Sequence, residues 1–182
     1  MAKVFTEITR LSDKDCFYIV ERHKTEFTYP LHRHKEFELN FIQNGKGVRR
    51  IVGDSVEEIG DYELVLVGGE ELEHVWEQGS CQSKDIREIT IQFSGDIFGN
   101  ELLSKNQFAS IQRMLRRAEH GLSFPLSTIM KVYSILDDIA NDNERFVQFL
   151  KSLYILYELS VSEGTRVLAS SSFAHSPRKV ES

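Results

Sequence analysis

The segment LHRHKEFELN, residues 31–40, brings together three residues that can bind a metal or a polar ligand. His32 and His34 are two residues apart, and Glu38 follows four residues after His34. Side chains at these spacings share one face of a β-strand, so a strand over about residues 32–42 would present all three together. Two imidazoles and a carboxylate suit Zn, Fe, Ni or Mn. The spacing predicts a divalent metal site or a ligand pocket, with hydrogen-bonded core histidines as the alternative.

A later segment, GGEELEHVW, adds further candidates. His74 lies on a later predicted strand and could supply a fourth metal ligand from across a barrel. Trp76 is two residues further on and would share the face of His74, where it could stack on an effector or fill the core. The residues predicted to line a ligand pocket are His32, His34, Glu38, Tyr62, His74 and Trp76.

A period near two runs through residues 4–95 and is interrupted by glycine and asparagine. CFYIVERHK, FELNFIQ, GVRRIVGD, DYELVLVGG and REITIQFS each predict a short β-strand. The pair Asn44-Gly45 predicts a two-residue hairpin, and VGDSVEEIGD predicts a second turn region. Many short strands at close spacing favour an antiparallel sandwich or barrel over residues 1–98.

The period changes to three and four after residue 98, which predicts helices over residues 101–120, 125–141 and 144–161. Gly121 is expected to end the first helix, and Pro125 to begin the second. Packing against the sheet is the default role of their apolar stripes, and contact with a partner subunit is the alternative. Residues 99–164 therefore form a helical segment, and the serine-rich residues 165–182 are expected to be a linker.

Composition limits the possible functions. The formal charge of −6 argues against direct binding of a nucleic-acid backbone, which needs a basic face. No apolar run is long enough for a transmembrane helix, so we expect a cytoplasmic protein without membrane contact. Cys16 and Cys81 form no metal-binding or disulfide spacing pattern.

The spacing His32-x-His34, then Glu38, then Gly45 resembles the first cupin motif, and GDYELVLVGGEELEH resembles a variant of the second. With the helices that follow, residues 5–165 resemble the N-terminal half of AraC-type transcriptional regulators. This resemblance implies a fold that is mainly β with α: a cupin-like, jelly-roll type antiparallel barrel followed by a helical dimerisation segment. It also implies a small-molecule effector, a homodimer, and DNA contact only through a C-terminal helix-turn-helix half that this sequence does not include.

The resemblance implies that the helices carry the dimer contacts, and the residues assigned to them are Ile111, Leu115, Phe149, Leu153 and Leu156. The leading hypothesis is a non-enzymatic sensory module with no cofactor other than a possible divalent metal (Zn, Fe, Ni or Mn). A metal-dependent cupin enzyme of the dioxygenase or isomerase type is the rival, with His32, His34, Glu38 and His74 as its metal ligands. A dimeric cupin without chemistry is a third possibility.

Overall fold

The computed structural model describes residues 4–170, so residues 171–182 of the predicted linker lie outside it. The described strands form two sheets. The first contains, in spatial order, β1 (Phe5–Thr6), β3 (His32–Arg33), β8 (His74–Glu77), β5 (Arg49–Val52) and β6 (Ser55–Glu58). The second contains β11 (Arg166–Val167), β10 (Leu122–Ser123), β7 (Tyr62–Val67), β4 (Phe37–Gln43), β9 (Ile86–Phe93) and β2 (Tyr18–Lys24).

Apart from the parallel pair β1–β3, the described strands pair antiparallel, which confirms the predicted antiparallel architecture. The two sheets remain separate over residues 4–170, so the predicted cupin-like antiparallel β-structure is present as an open sandwich. Between the sheets lies a core cluster that includes Ile42, Val52, Val65 and Ile86. The opening between the sheets leaves room for a cavity.

The helices cover the outer face of the second sheet. They are α1 (Gly99–Leu103), α2 (Ala109–Arg117), α3 (Leu126–Ile139) and α4 (Arg145–Ser160), with 3-10 turns at Asn106–Phe108 and Ala118–His120. Leu39 and Phe41 of β4 pack with Ile111, Leu136 and other helical residues in a second core cluster. The first predicted helix is therefore two helices and two 3-10 turns, and it ends at Gly121, whose φ is +71°. None of the helices in residues 4–170 is long and apolar enough to cross a membrane.

Two turns differ from the prediction. Asn44 has the expected positive φ of 65°, but the chain passes there from β4 in one sheet to β5 in the other, so no hairpin forms. The tight hairpin is instead β5–β6, where Val52 pairs with Ser55 across Gly53-Asp54. Gly53 has a φ of +57°, which glycine adopts without steric cost.

The chain between residues 32 and 42 forms two strands where we predicted one. β3 belongs to the first sheet and β4 to the second, with a bend between them. This crossing between sheets puts His32 and Glu38 on different sheets at the same end of the sandwich. Glu38 faces the space between the sheets, because Leu39 and Phe41, on the alternate positions of β4, face the helices, and His32 lines the same space.

The start of the predicted linker is part of the fold. β11 pairs with β10 on the edge of the second sheet. Leu168 and Ala169 then donate backbone hydrogen bonds to the Gly121 and His120 carbonyls. Strands β10 and β11 lie beyond residue 98, so the second sheet also draws on the segments predicted to be helical and linker.

Candidate metal and effector site

Four side chains from three strands and the bend after the first of them converge between the sheets. His32, His34, Glu38 and His74 are buried, and one ligand atom from each lies within 4.8 Å of the others. His32 pairs directly with His74 across β3 and β8. His34 follows β3 at the bend, and Glu38 lies near the start of β4. The structure thus assembles the whole predicted ligand set.

The distances suit a single metal ion. Two ligand atoms at about 2.1 Å from one ion stand roughly 3 to 3.5 Å apart. The Nε2 atoms of His34 and His74 are 3.1 Å apart, and Glu38 oxygens lie 3.7 Å from His34 Nε2 and 3.8 Å from His74 Nε2. Small side-chain shifts would bring these atoms onto one ion.

Backbone carbonyls orient all three imidazoles. The Nδ1 atoms of His32, His34 and His74 lie 2.8, 3.0 and 2.9 Å from the carbonyl oxygens of Pro30, Glu36 and Leu72. A carbonyl accepts a hydrogen bond, so each Nδ1 is protonated and each neutral ring presents an Nε2 lone pair. This arrangement fixes the tautomer that binds metal through Nε2. The donor set and its supporting hydrogen bonds therefore fit a divalent metal.

Electrostatics favour an ionised Glu38 and a neutral His74. Burial acts to raise the pKa of Glu38, but the His34 imidazole 3.7 Å away and the hydrogen bond from Gln92 outweigh it and lower the pKa to about 2. Burial lowers the pKa of His74 to about 3, despite the attraction of Glu38. Burial also acts to lower the pKa of His34, but the negative charge of nearby Glu38 raises it overall. The carboxylate is thus a charged ligand, and Gln92 Nε2 donates to it at 2.9 Å.

A cavity of about 200 Å³ lies beside the four ligands, with His32 and Glu38 in its wall. Polar side chains from the inner faces of three strands of the second sheet also line it: Arg22, Lys24, Asn40, Glu88, Thr90 and Gln92. Thr90 donates to Asn40, and Asn40 in turn donates to Glu88. Inward-facing polar groups of this kind are typical of a ligand pocket, since a structural core would be apolar.

These polar wall residues were not predicted from the sequence. The signal that could have found them is the alternation of Glu88, Thr90 and Gln92 with Ile89, Ile91 and Phe93 along β9. That period of two separates a polar face from an apolar one in a strand whose residues from Ile89 to Phe93 are all buried. A buried polar face is unusual unless it binds something.

The two predicted aromatic pocket residues lie in different places. Trp76 lines the cavity, and its Nε1 donates to buried Glu63 at 3.1 Å, so it serves both the pocket and the inner core. Tyr62 lies on the outer face of β7, where its ring packs near Phe41 and Tyr133. Tyr62 is therefore outside the histidine cavity, because alternate residues of a strand face opposite sides.

The residues predicted to make dimer contacts are largely internal. Ile111, Leu115 and Leu156 are buried in the core cluster between helices and sheet. Leu153 packs against the same cluster, and the Phe149 ring lies 5.9 Å from that of Phe17. The outward-facing apolar residues of α4 are instead Phe146, Val147, Leu150, Tyr154 and Tyr157.

Fold and site together define a cupin-like sandwich with a buried histidine–carboxylate centre and a helical layer. No family model matches the chain, and no curated protein matches it. Among solved structures it is similar to unsaturated fatty acid-bound wild-type ToxT from Vibrio cholerae strain SCE256, with 14% identity and a TM-score of 0.50. That match covers 81% of this chain and 54% of the ToxT chain.

Two further ToxT structures from Vibrio cholerae are also similar. One has 12% identity and a TM-score of 0.43, and the match covers 77% of this chain and 54% of ToxT. The other, from strain O395 and bound to (E)-4-(8-methylnaphthalen-1-yl)but-3-enoic acid, has 12% identity and a TM-score of 0.42, over 80% and 57% of the two chains. The chain thus spans about half the length of ToxT. ToxT is an AraC-family regulator, and its N-terminal ligand-binding domain has the cupin-like fold described above.

Proposed function

We propose that this chain is the effector-binding and dimerisation module of an AraC-type transcriptional regulator. The observation that carries the proposal is the polar-walled cavity between the two sheets, adjoining four buried ligand residues. The fold shared with ToxT supports it. Effector binding would bias the placement of DNA-reading helix-turn-helix halves joined to the C-terminal end of the module.

The cavity favours a small, polar effector. Its volume of about 200 Å³ is below the roughly 300–1,000 Å³ of drug-sized pockets. Charged or amide side chains such as Arg22, Glu88 and Gln92 line it, and an alkyl chain would exclude water from these polar groups without offering them a hydrogen bond. The fatty acid bound to ToxT is therefore a poor guide to the effector of this chain.

The pocket would also hold a divalent metal through His32, His34, Glu38 and His74. This assignment is supported by the three imidazoles, whose Nδ1 hydrogen bonds leave their Nε2 lone pairs free to bind a metal, and by the ionised Glu38 carboxylate. A bound metal would supply a Lewis-acidic position at the edge of the cavity, where a polar effector could coordinate. Zn, Fe, Ni and Mn all suit this donor set.

The same centre favours a second candidate function, a metal-dependent cupin enzyme. Both functions need the metal ligands, but they differ in what happens to the bound small molecule. A sensor releases its effector unchanged, whereas an enzyme of the dioxygenase or isomerase type converts it.

The deciding experiment uses the chain purified without a histidine tag or chelator. Its metal content is measured by mass spectrometry, and its thermal stability is followed with monosaccharides, amino acids, dicarboxylates and palmitoleate. Stabilisation by a polar compound that is recovered unchanged supports the sensor. Recovery of a converted product supports the enzyme, and stabilisation by palmitoleate alone contradicts the small polar effector.

A further inference from the structure

We infer that Glu7 is a fifth ligand of the metal centre and that it connects the N-terminal strand β1 to the site. This inference rests on the metal proposed above for His32, His34, Glu38 and His74. No motif in the sequence marks Glu7, which lies far from the histidines along the chain. The fold brings it to them through the pairing of β1 with β3.

The Glu7 carboxylate approaches two of the ring nitrogens that face the centre. Its Oε2 atom lies 3.8 Å from His32 Nε2 and 4.0 Å from His34 Nε2. Glu38 approaches its histidines at 3.7 and 3.8 Å, so the two carboxylates stand at similar distances from the imidazoles. Glu7 lies at the edge of the compact four-ligand group, and a short inward movement would complete a five-ligand sphere.

Two contacts aim the Glu7 carboxylate at the histidines. The Glu7 amide donates to the Arg33 carbonyl at 2.8 Å, which fixes its backbone beside β3. Tyr29 Oη donates to Glu7 Oε1 at 2.9 Å, which leaves Oε2 directed to the centre. The Tyr29 ring also stands edge-on to His32, with centroids 4.8 Å apart. Such hydrogen bonds orient metal-binding carboxylates in known sites.

The short segment that contains β1 and Glu7 is suited to move. β1 has only two paired residues, of which Phe5 is 40% exposed, and Ile8, directly after Glu7, is 94% exposed. Segments with so few buried contacts open at low free-energy cost. Glu7 also lines the effector cavity, so a ligand that reaches the metal from the cavity must pass or displace it. Metal binding would then order β1, and an effector that takes the position of Glu7 would release it.

The alternative is that Glu7 acts only as a nearby negative charge. Glu36 provides a matched control, because its Oε2 lies 3.9 Å from His34 Nδ1. That nitrogen already donates to the Glu36 backbone carbonyl and cannot bind the metal. Glu7→Gln and Glu36→Gln therefore each remove one charge beside His34, but only the first removes a ligand.

The test measures Zn²⁺ affinity of the full 182-residue chain and both variants by competition with a chromophoric chelator. Glu7→Gln should weaken Zn²⁺ binding by about tenfold or more, and Glu36→Gln by about twofold at most. Hydrogen exchange of the amides of residues 5–9 supplies a second measurement. Zn²⁺ should slow this exchange in the unaltered chain and in Glu36→Gln, but not in Glu7→Gln.

Equal affinities for the two variants, with exchange of residues 5–9 unaffected by Zn²⁺, would overturn the role of Glu7 and leave the four-ligand centre standing. Failure of the unaltered chain to bind Zn²⁺ would overturn the centre and the fifth ligand together. Trp76 is the only tryptophan in the sequence, so its fluorescence verifies that each variant is folded.

Discussion

The Nε2 atoms of His34 and His74 face each other at 3.1 Å, while the Nδ1 atom of each ring is directed at a backbone carbonyl. If both rings are neutral, their Nε2 lone pairs point at each other, and this repulsion is unfavourable in a buried site. A cation between them removes the conflict. It can be a proton on His34, whose pKa is raised, or a divalent metal.

Metal binding should therefore stabilise the fold through His74. At a free Zn²⁺ concentration one hundred times the dissociation constant, the gain is about 2.7 kcal/mol. His74→Ala should abolish the rise in melting temperature that Zn²⁺ causes, as measured by scanning calorimetry. His23→Ala is the control, because His23 is exposed, pairs with Glu21 and Asp85 and lies outside the four-residue cluster, so it should keep the full rise. A zinc effect that survives in His74→Ala would contradict the site.

Gln92 should increase the metal affinity of the site although it does not bind the metal itself. It donates to Glu38 Oε1 and so fixes the carboxylate that faces two histidines. Loss of a hydrogen bond that orients a ligand typically costs about 10- to 100-fold in affinity. We expect Gln92→Ala to weaken Zn²⁺ binding by that amount in isothermal titration, while the exposed Gln82→Ala leaves it unchanged. Equal affinities for the two variants would show that Gln92 does not orient Glu38.

The sequence predicted that His32, His34 and Glu38 lie together, because that prediction needed only local spacing. His32, His34 and Glu38 converge even though residues 32–42 bend from one sheet into the other. The face of β7 was not predictable in this way. Residues Glu63 to Val67 are all buried, so both faces are covered and the period does not show which one faces the space between the sheets. Tyr62 was therefore assigned to the pocket, although it packs under the helices.

The helices show a second limit. An apolar stripe on a helix fits packing against a sheet and packing against a partner equally well, so Ile111 and Leu156 could have served either purpose. Only the tertiary structure shows that both are in the core. The position of Glu7 beside the histidines could not be predicted for a different reason. The parallel pairing of β1 with β3, which brings it there, leaves no local signal in the sequence.

The buried ion pair between Arg50 and Glu63, next to Trp76, should contribute strongly to the free energy of unfolding. Arg50 is 2% exposed and donates to Glu63 at 2.7 Å, and Glu63 also accepts from Trp76. Arg50→Met would leave Glu63 buried without its counter-charge, at a cost of about 3–5 kcal/mol. The neighbouring Arg49→Met removes only an exposed pair with Glu77 and should cost less than about 1 kcal/mol. Urea unfolding measures both, and equal losses would contradict the assignment.

Arg87 should make stability depend on acid pH. It donates to Glu21 on β2 and to Asp137 on α3, which links the second sheet to the helical layer. Burial acts to raise the pKa of Glu21, but Arg87 and His23 outweigh it and lower the pKa below its ordinary value of 4.5. A lowered carboxyl pKa adds stability above pH 4.5, and this is lost as pH falls through the folded-state value.

The free energy of unfolding of the unaltered chain should therefore decrease below about pH 4.5, in part through Glu21. In Arg87→Met this part of the decrease should be smaller, because Glu21 no longer has its main cationic partner. Urea unfolding from pH 3 to pH 7 checks the difference. Arg22→Met is the control, since Arg22 lies 4.0 Å from Glu88 and does not bind Glu21. Identical pH profiles for the unaltered chain and Arg87→Met would contradict the prediction.

The outward face of α4 should carry the contacts of the proposed homodimer. Phe146, Leu150 and Tyr154 recur every four residues and are 69%, 49% and 50% exposed, so they form one apolar stripe in solvent. Leu150→Asp puts a charge at the centre of this stripe and should weaken dimerisation by about tenfold or more in analytical ultracentrifugation. Its monomer should remain folded, because Leu150 lies outside the core.

Two controls separate assembly from folding. Ser134→Asp places the same charge on an exposed position of α3 and should leave the dimer intact. Leu156→Ala opens a cavity in the core, because Leu156 is 2% exposed, and should cost about 2–5 kcal/mol of unfolding free energy. The stripe on α4 would be excluded as the interface if Leu150→Asp dimerises like Ser134→Asp. In that case the dimer, if one forms, must use a different face of the module.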